Sequence, residues 1–553
     1  MATTDNKSSI NEASDRDPFN NNTYGTLVDK EFVPVDLPVL DVVDFNERII
    51  KGYEDGVAEK GLPADLSVAR SIIPAGTATL RDFSYVAPEI PIYITENCTG
   101  CMDCVTQCPD TAILGKVRSE SELNTQLEKI EDVDDREMFE AQWSKTRKYY
   151  DGPQKKGKEG GRFSILIDPS KCKGCAECVT VCDDRALKMV PKSEEVMTSI
   201  RKSHRLFKEV GPSDESYVND NLLIDMMLKE DSFMYVGGAG SCAGCGEGTA
   251  LRMMCAATGV TYGDRWGIIA ATGCNTVYTS TYPYNPYLVP WTNSLFEIAP
   301  ADAMGVRSRW DQIGWEDYPL WCIGGDGAMF DIGFQSLSRM LASGMNINVF
   351  VLDTQVYSNT GGQNSDSTPM LGGSDMNSFG AATQGKAVEK KTVAETFLAG
   401  HGSPFVSQIS IANAPKFFRA ILDALEYRGT GFLQCFTTCQ PEHGVADDMA
   451  LDQAQRVRDS RGAPEFVFNP TLGETYDEAL DLTGNPHPDK DWYTTKFKGT
   501  GEKYRYTVAH WCATEARFRN HLKRIKDESQ IEQLISLENM LLRITQQDVV
   551  CLL

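Results

Sequence analysis

A chain of 553 residues, 41% apolar and 24% charged, is too long for one hydrophobic core and has the make-up of a soluble globular protein, so two or three domains are expected. The formal charge of −24, from 54 basic and 78 acidic residues, leaves no basic surplus to neutralise phosphates and excludes a general nucleic-acid binder. No apolar run approaches the ~18 residues of a membrane span and the first residues lack the apolar stretch of a secretory signal, so the 17 cysteines are expected as thiols of a reducing cytoplasm, serving as metal ligands or small core residues.

Residues 1–85 are acidic and rich in Asn, Asp and Pro, and read as an extended N-terminal arm. For the first 25 or so, a disordered tail is the equal alternative.

Residues 86–195 hold the strongest signal. Cys98, Cys101, Cys104 and Cys108, then Cys172, Cys175, Cys178 and Cys182, form two C-x2-C-x2-C-x3-C runs. Three thiolates of such a run can bind one face of a [4Fe–4S] cubane while the fourth reaches across to the other cluster. The spacing predicts an α+β two-[4Fe–4S] ferredoxin-like domain; closed structural zinc sites are the alternative. The first run ends Cys108-Pro109 but the second Cys182-Asp183, a change expected to shift a potential or an exposure without losing a ligand. Between the runs, the insertion 119–161 predicts a charged helix from Glu131 to about Tyr149. A lysine-bearing loop, 152–161, follows, either docking an electron partner or forming a solvated turn.

Residues 196–231 read as a helical linker. From 232 to 505, Gly-rich turns alternate with apolar strands, of which Trp266–Ala270, Leu320–Ile323 and Ile347–Leu352 are the clearest, and predict an α/β domain with a parallel sheet. Residues 506–553 read as a C-terminal helical segment with a heptad-like pattern at Ile531, Leu534, Ile535, Leu537, Leu541 and Leu542.

Within the α/β region the second strand runs into Gly324-Gly325-Asp326-Gly327-Ala328. Glycines at a strand-to-helix turn let backbone N–H groups approach a diphosphate, and a carboxylate there suits Mg²⁺. Alone, Gly-Asp-Gly is equally a surface turn. The next strand ends in Thr354-Gln355-Val356-Tyr357-Ser358-Asn359-Thr360-Gly361-Gly362-Gln363, where ligands bind in open α/β sheets. The two loops together form the pattern of a thiamine-diphosphate site. The stretch Gly325–Gln363, with both cysteine runs, resembles the pyruvate:ferredoxin oxidoreductases and related 2-oxoacid:ferredoxin oxidoreductases.

The resemblance implies that Asp326, Thr354 and Val356 hold Mg²⁺, that Gly325, Gly327 and Ala328 line the diphosphate, and that Asn359 faces the reacting carbon. It implies a third [4Fe–4S] cluster beside the thiamine, on Cys242, Cys245, Cys274 and Cys439, with Cys435 the rival for the fourth place. Cys255, Cys322, Cys435, Cys512 and Cys551 are otherwise small hydrophobes; His443 orients substrate or satisfies a turn, and His204, His401, His487, His510 and His521 are structural. The implied reaction is oxidative decarboxylation of a 2-oxoacid by thiamine-radical chemistry. Three clusters wire the electrons to ferredoxin or flavodoxin, and the acyl group passes to coenzyme A. A second subunit would carry the pyrimidine-binding and CoA-binding domains, in a dimer of heterodimers. The fused cluster module and the run from Tyr357 to Gln363 look like the pyruvate branch. Another 2-oxoacid (2-oxoglutarate, arylpyruvate, oxalate) and a cofactor-free electron-transfer subunit are the alternatives.

Overall fold

The computed structural model describes residues 42–62, 72–373, 385–402 apart from 387, 404–485, and 501–519 apart from 502 and 507, with the strands Tyr24–Val28, Glu31–Val35 and Thr494–Lys496. The heptad-like pattern, Cys551, His487 and His521 lie outside these residues. In the arm, Tyr24–Val28 and Glu31–Val35 pair as an antiparallel hairpin. Beyond it, Phe45, Ile49 and Ile50 pack on Tyr282 and Tyr284, so part of the segment expected to be extended is a helical turn docked by its apolar face.

In the cysteine-bearing unit, strand β1 (Glu89–Tyr93) pairs antiparallel with β4 (Leu187–Pro191), and β2 (Ile113–Ser119) with β3 (Gly161–Ile167). Each cysteine run bends through the same left-handed positions: Gly100, Met102 and Thr111 in the first, Gly174, Ala176 and Arg185 in the second. Such turns aim successive N–H groups into a concavity. The amides of Ala112 and Ala186 lie 3.3 and 3.2 Å from the sulfurs of Cys108 and Cys182.

The helix expected over 131–149 is broken. It covers Val133–Glu140, after which Ser144 exchanges two backbone hydrogen bonds with Phe163 on β3, and Thr146 caps a new turn by accepting from the Tyr149 amide. Strand pairing has taken residues whose composition suits a helix. A helix at Glu120–Leu127, capped by Ser119, went unforeseen. The linker is helical only over Glu194–Glu209, followed by short 3-10 turns to residue 232.

The C-terminal unit is an eight-stranded sheet of β5 (Gly267–Ala271), β6 (Trp291–Ser294), β7 (Leu320–Gly325), β8 (Asn348–Asp353), β9 (Phe405–Ser410), β10 (Gly431–Phe436), β11 (Phe466–Phe468) and β12 (Leu480–Asp481), in the order β12-β11-β9-β10-β8-β7-β5-β6. The six strands from β5 to β10 run parallel; β11 runs antiparallel to β9, and β12 antiparallel to β11. Every residue of β8, β9 and β10 is buried, as for strands covered on both faces. The helix Gly246–Tyr262 is buried from end to end of residues 246–259. It belongs to one continuous core with Met102, Val105 and Ile167 of the cysteine-bearing unit and Phe350 and Leu433 of the sheet.

Candidate active site

The loops that follow β5, β7, β8 and β10 all leave the carboxyl ends of parallel strands, where ligands of α/β sheets bind. After β7, Asp326 is 1% exposed. Its carboxylate accepts from the hydroxyls of Thr354, at 3.2 Å, and Ser365. The Thr354 hydroxyl lies 2.9 Å from the Val356 carbonyl and 2.6 Å from the Ser358 hydroxyl. Burial, then the nearby Asp353 carboxylate, pushes the Asp326 carboxyl well above the usual range. A buried acid served by hydroxyls rather than a cation, with a hydroxyl and a carbonyl converging beside it, is a hard-oxygen donor set that fits Mg²⁺.

The two loops are held in contact. A Cβ on Gly327 would meet the Tyr357 ring at 2.3 Å, and the Tyr357 hydroxyl donates to the Gly327 carbonyl at 3.2 Å. Gln355 adopts a left-handed φ of 58°. Its amide donates to Asp353 at 3.0 Å, and its side-chain oxygen accepts from Arg517 at 2.7 Å. His443 is fully buried, with Nε2 against the Thr354 carbonyl. Burial and the Arg517 charge hold its pKa well below the usual 6.5, so the ring is neutral and Nε2 carries the donated proton.

Gly325, Asp326, Gly327, Ala328, Thr354, Val356 and Asn359 all line one cleft, together with Thr272, Gly273, Cys274, Phe296 and Glu247. Glu247 and Phe296 were not found by sequence reasoning. Glu247 is fully buried, and burial pushes its carboxyl up to about 8 although it accepts a hydrogen bond from the Asn275 backbone.

The four dispersed cysteines gather beside this cleft. Cys274 opens the helix Cys274–Thr279. Its thiol is pushed up by burial first, then by Glu247, Cys245, Cys439 and Cys242, so all four lie within electrostatic reach of one another. Cys439 is pushed up to about 12, again mainly by burial. Cys435 lies inside β10, fully buried, with Glu465 and Asp353 as its charged neighbours. The structure brings Cys439, and not Cys435, to the other three.

In the cysteine-bearing unit the runs cross over. Cys98, Cys101 and Cys104 share a cavity with Cys182 of the second run, while Cys175 and Cys178 feel Cys108 of the first. Cys98, Cys101, Cys104 and Cys182 thus offer four thiols to one space. All-sulfur donors around such a space fit a cubane. The unit is fastened to the sheet domain: the Glu177 carboxylate accepts from the Leu451 and Ala450 amides at 2.9 and 3.1 Å, capping the helix Ala450–Asp459.

Residues 271–435 match the thiamine pyrophosphate enzyme family, C-terminal TPP binding domain. This part of the chain is similar to a thiamine-pyrophosphate-binding domain. The domain and its cysteine-bearing companion are similar to the pyruvate-flavodoxin oxidoreductase of Nostoc sp., with 26% identity over 80% of this chain and 41% of the relative. They are also similar to the pyruvate:ferredoxin oxidoreductase of Moorella thermoacetica, with 26% identity over 75% and 39%, and to a probable pyruvate-flavodoxin oxidoreductase of Escherichia coli, with 27% over 79% and 40%. The chain thus spans about two fifths of the length of these relatives. A solved 2-oxoglutarate:ferredoxin oxidoreductase from Magnetococcus marinus matches at 20% identity and a TM-score of 0.32, over 37% of this chain and 65% of that one, a likeness too weak to bear on the fold. Among the described residues no helix is long and apolar enough to cross a membrane.

Proposed function

We propose that this chain is the thiamine-binding and electron-carrying part of a 2-oxoacid:ferredoxin oxidoreductase whose substrate is pyruvate. Pyruvate and coenzyme A are converted to acetyl-CoA and CO2, and two electrons pass singly to ferredoxin or flavodoxin. The observation that carries this reading is the shared cleft: Asp326, Thr354 and Cys274 line it together, which supports a thiamine site beside the third cluster.

When bound, thiamine diphosphate supplies the electron sink for decarboxylation, and [4Fe–4S] clusters take electrons one at a time. Asp326, Thr354 and Val356 would hold Mg²⁺, and the Gly327–Ala328 turn would receive the diphosphate. Asn359 lines the cleft, where Glu247 and Asp326 are the two carboxyl groups, and would face the reacting carbon. The crossed cysteine sets hold the two outer clusters, and Cys101, exposed to solvent, marks the exit for electrons. Val277, Leu295, Ile298 and Ile332 are exposed within a few residues of cleft-lining positions. We assign this apolar rim to a second subunit carrying the pyrimidine- and CoA-binding domains, in a dimer of such pairs within the cytoplasm.

Anaerobic mixing of the purified complex with pyruvate tests the proposal. Bleaching of the cluster absorbance by pyruvate, with further turnover on adding coenzyme A, supports it. Bleaching only by 2-oxoglutarate, an arylpyruvate or oxalate moves the substrate, and bound iron without bound thiamine overturns the enzyme reading in favour of an electron-transfer subunit.

A further inference from the structure

One ammonium group is buried where three cysteine-bearing segments meet. Lys173, between Cys172 and Cys175, is 6% exposed. Its Nζ lies 2.6 Å from the Asp110 carboxylate, 2.7 Å from the Ser241 carbonyl, 2.9 Å from the Ala239 carbonyl and 3.0 Å from the Ser241 hydroxyl. Asp110 is two residues beyond Cys108, and Ser241 immediately precedes Cys242. The ammonium thus meets the Cys242 loop through Ser241 and Ala239, and the carboxylate is carried by the Cys108 loop, where it also accepts from the Ser241 hydroxyl at 3.3 Å.

Desolvating both partners of an ion pair is costly, and an apolar pair of similar size commonly holds a seam as well or better. What an apolar pair cannot supply is a field. Cluster potentials follow net charge, hydrogen bonding and exposure. Each electron adds one negative charge, which a nearby cation stabilises and a nearby carboxylate opposes.

We propose that Lys173 and Asp110 are positioning residues for electron transfer, setting the potential of the thiamine-side cluster (Cys242, Cys245, Cys274, Cys439) above, and that of the adjoining ferredoxin-type cluster (Cys108, Cys172, Cys175, Cys178) below, the values the sites would otherwise have. The inference rests on the cluster assignments made above. The transfer itself moves one electron, oxidising the first cluster and reducing the second, and makes or breaks no bond.

The test is an EPR-monitored redox titration of the full chain, purified anaerobically, with the thiamine-side signal identified as the one lost in Cys274→Ser. Lys173→Met lowers the potential of that signal by at least a tenfold change in electron partition, about 59 mV for one electron, and Lys173→Arg keeps it near its starting value. Asp110→Asn raises the potential of the adjoining cluster. A staple of purely structural role would lose iron or melting temperature in these variants without moving potentials in opposite directions. Unchanged potentials in Lys173→Met and Asp110→Asn, with all three signals present, overturn the proposal alone. If Lys173→Met does not retain its clusters, Asp110→Asn decides by the same criterion. A parent chain with no signal dependent on Cys274 overturns the cluster assignment and this proposal together.

Discussion

The Nε2 of His443 lies 2.8 Å from the carbonyl oxygen of Thr354, and on its far side Nδ1 is 3.7 Å from the Glu515 carboxylate. The imidazole thus braces the Thr354–Val356 turn from behind, on the side away from Asp326. Partners that orient a metal-binding loop typically contribute 10–100-fold to metal affinity. His443→Ala is therefore expected to weaken Mg²⁺-dependent thiamine diphosphate binding by about 10- to 100-fold, read by titration calorimetry. His443→Gln, whose amide can still donate to the carbonyl, recovers part of it. An affinity equal to the parent's in His443→Ala would mean that the brace does not matter.

Asp326→Ala removes the one buried carboxylate of the donor set and is expected to abolish retention of thiamine diphosphate on desalting, while the iron content stays that of the parent. Normal turnover in that variant would show that the cation sits elsewhere.

The cysteine assignments separate by iron counting. Cys439→Ser should lower the content from about twelve irons to about eight, whereas Cys435→Ser should leave it unchanged, because Cys435 sits inside β10 with Glu465 and Asp353 as its charged neighbours. The crossover adds a sharper outcome: Cys182→Ser and Cys98→Ser lose the same EPR signal, and Cys108→Ser loses the one lost in Cys175→Ser.

Ligand residues close together in the chain were legible because their spacing alone constrains the chemistry. The two cysteine runs are of this kind, whereas Asp326 and the Thr354–Val356 turn, each at the end of an apolar strand, could be proposed only as a pair of loops and through the family resemblance. Lys173, Glu247, Phe296 and His443 were not legible as site residues, since their roles depend on partners far away in the chain: Lys173 meets Asp110 and Ser241, and His443 meets Thr354. The helix misread over 131–149 failed for a related reason. Local composition favours helix there, but Ser144 pairs with Phe163, nineteen residues away, and tertiary pairing overrides propensity.

Glu465 gives a pH test of burial in the sheet domain. It is almost fully buried beside Lys416 and the Ser410 hydroxyl, and burial raises its pKa above the usual 4.5. The folded state therefore holds a proton that the unfolded chain has released between 4.5 and the raised value, and the stability tied to this group falls as pH rises through that window. Gln accepts the Ser410 hydrogen bond without titrating. In the metal-free chain, Glu465→Gln should match the parent near pH 4.5 and melt increasingly above it as pH rises. A melting difference independent of pH would contradict the sign.

The central claim is that a thiamine site and a cubane share the cleft between Asp326 and Cys274. Anaerobic purification followed by iron, sulfide and thiamine analysis tests it most directly. The account predicts about twelve irons, about twelve sulfides and one thiamine diphosphate per chain, with the thiamine lost in Asp326→Ala and about four irons lost in Cys274→Ser. Zinc in place of iron, or a full complement of iron with no thiamine bound at saturating Mg²⁺, would contradict it.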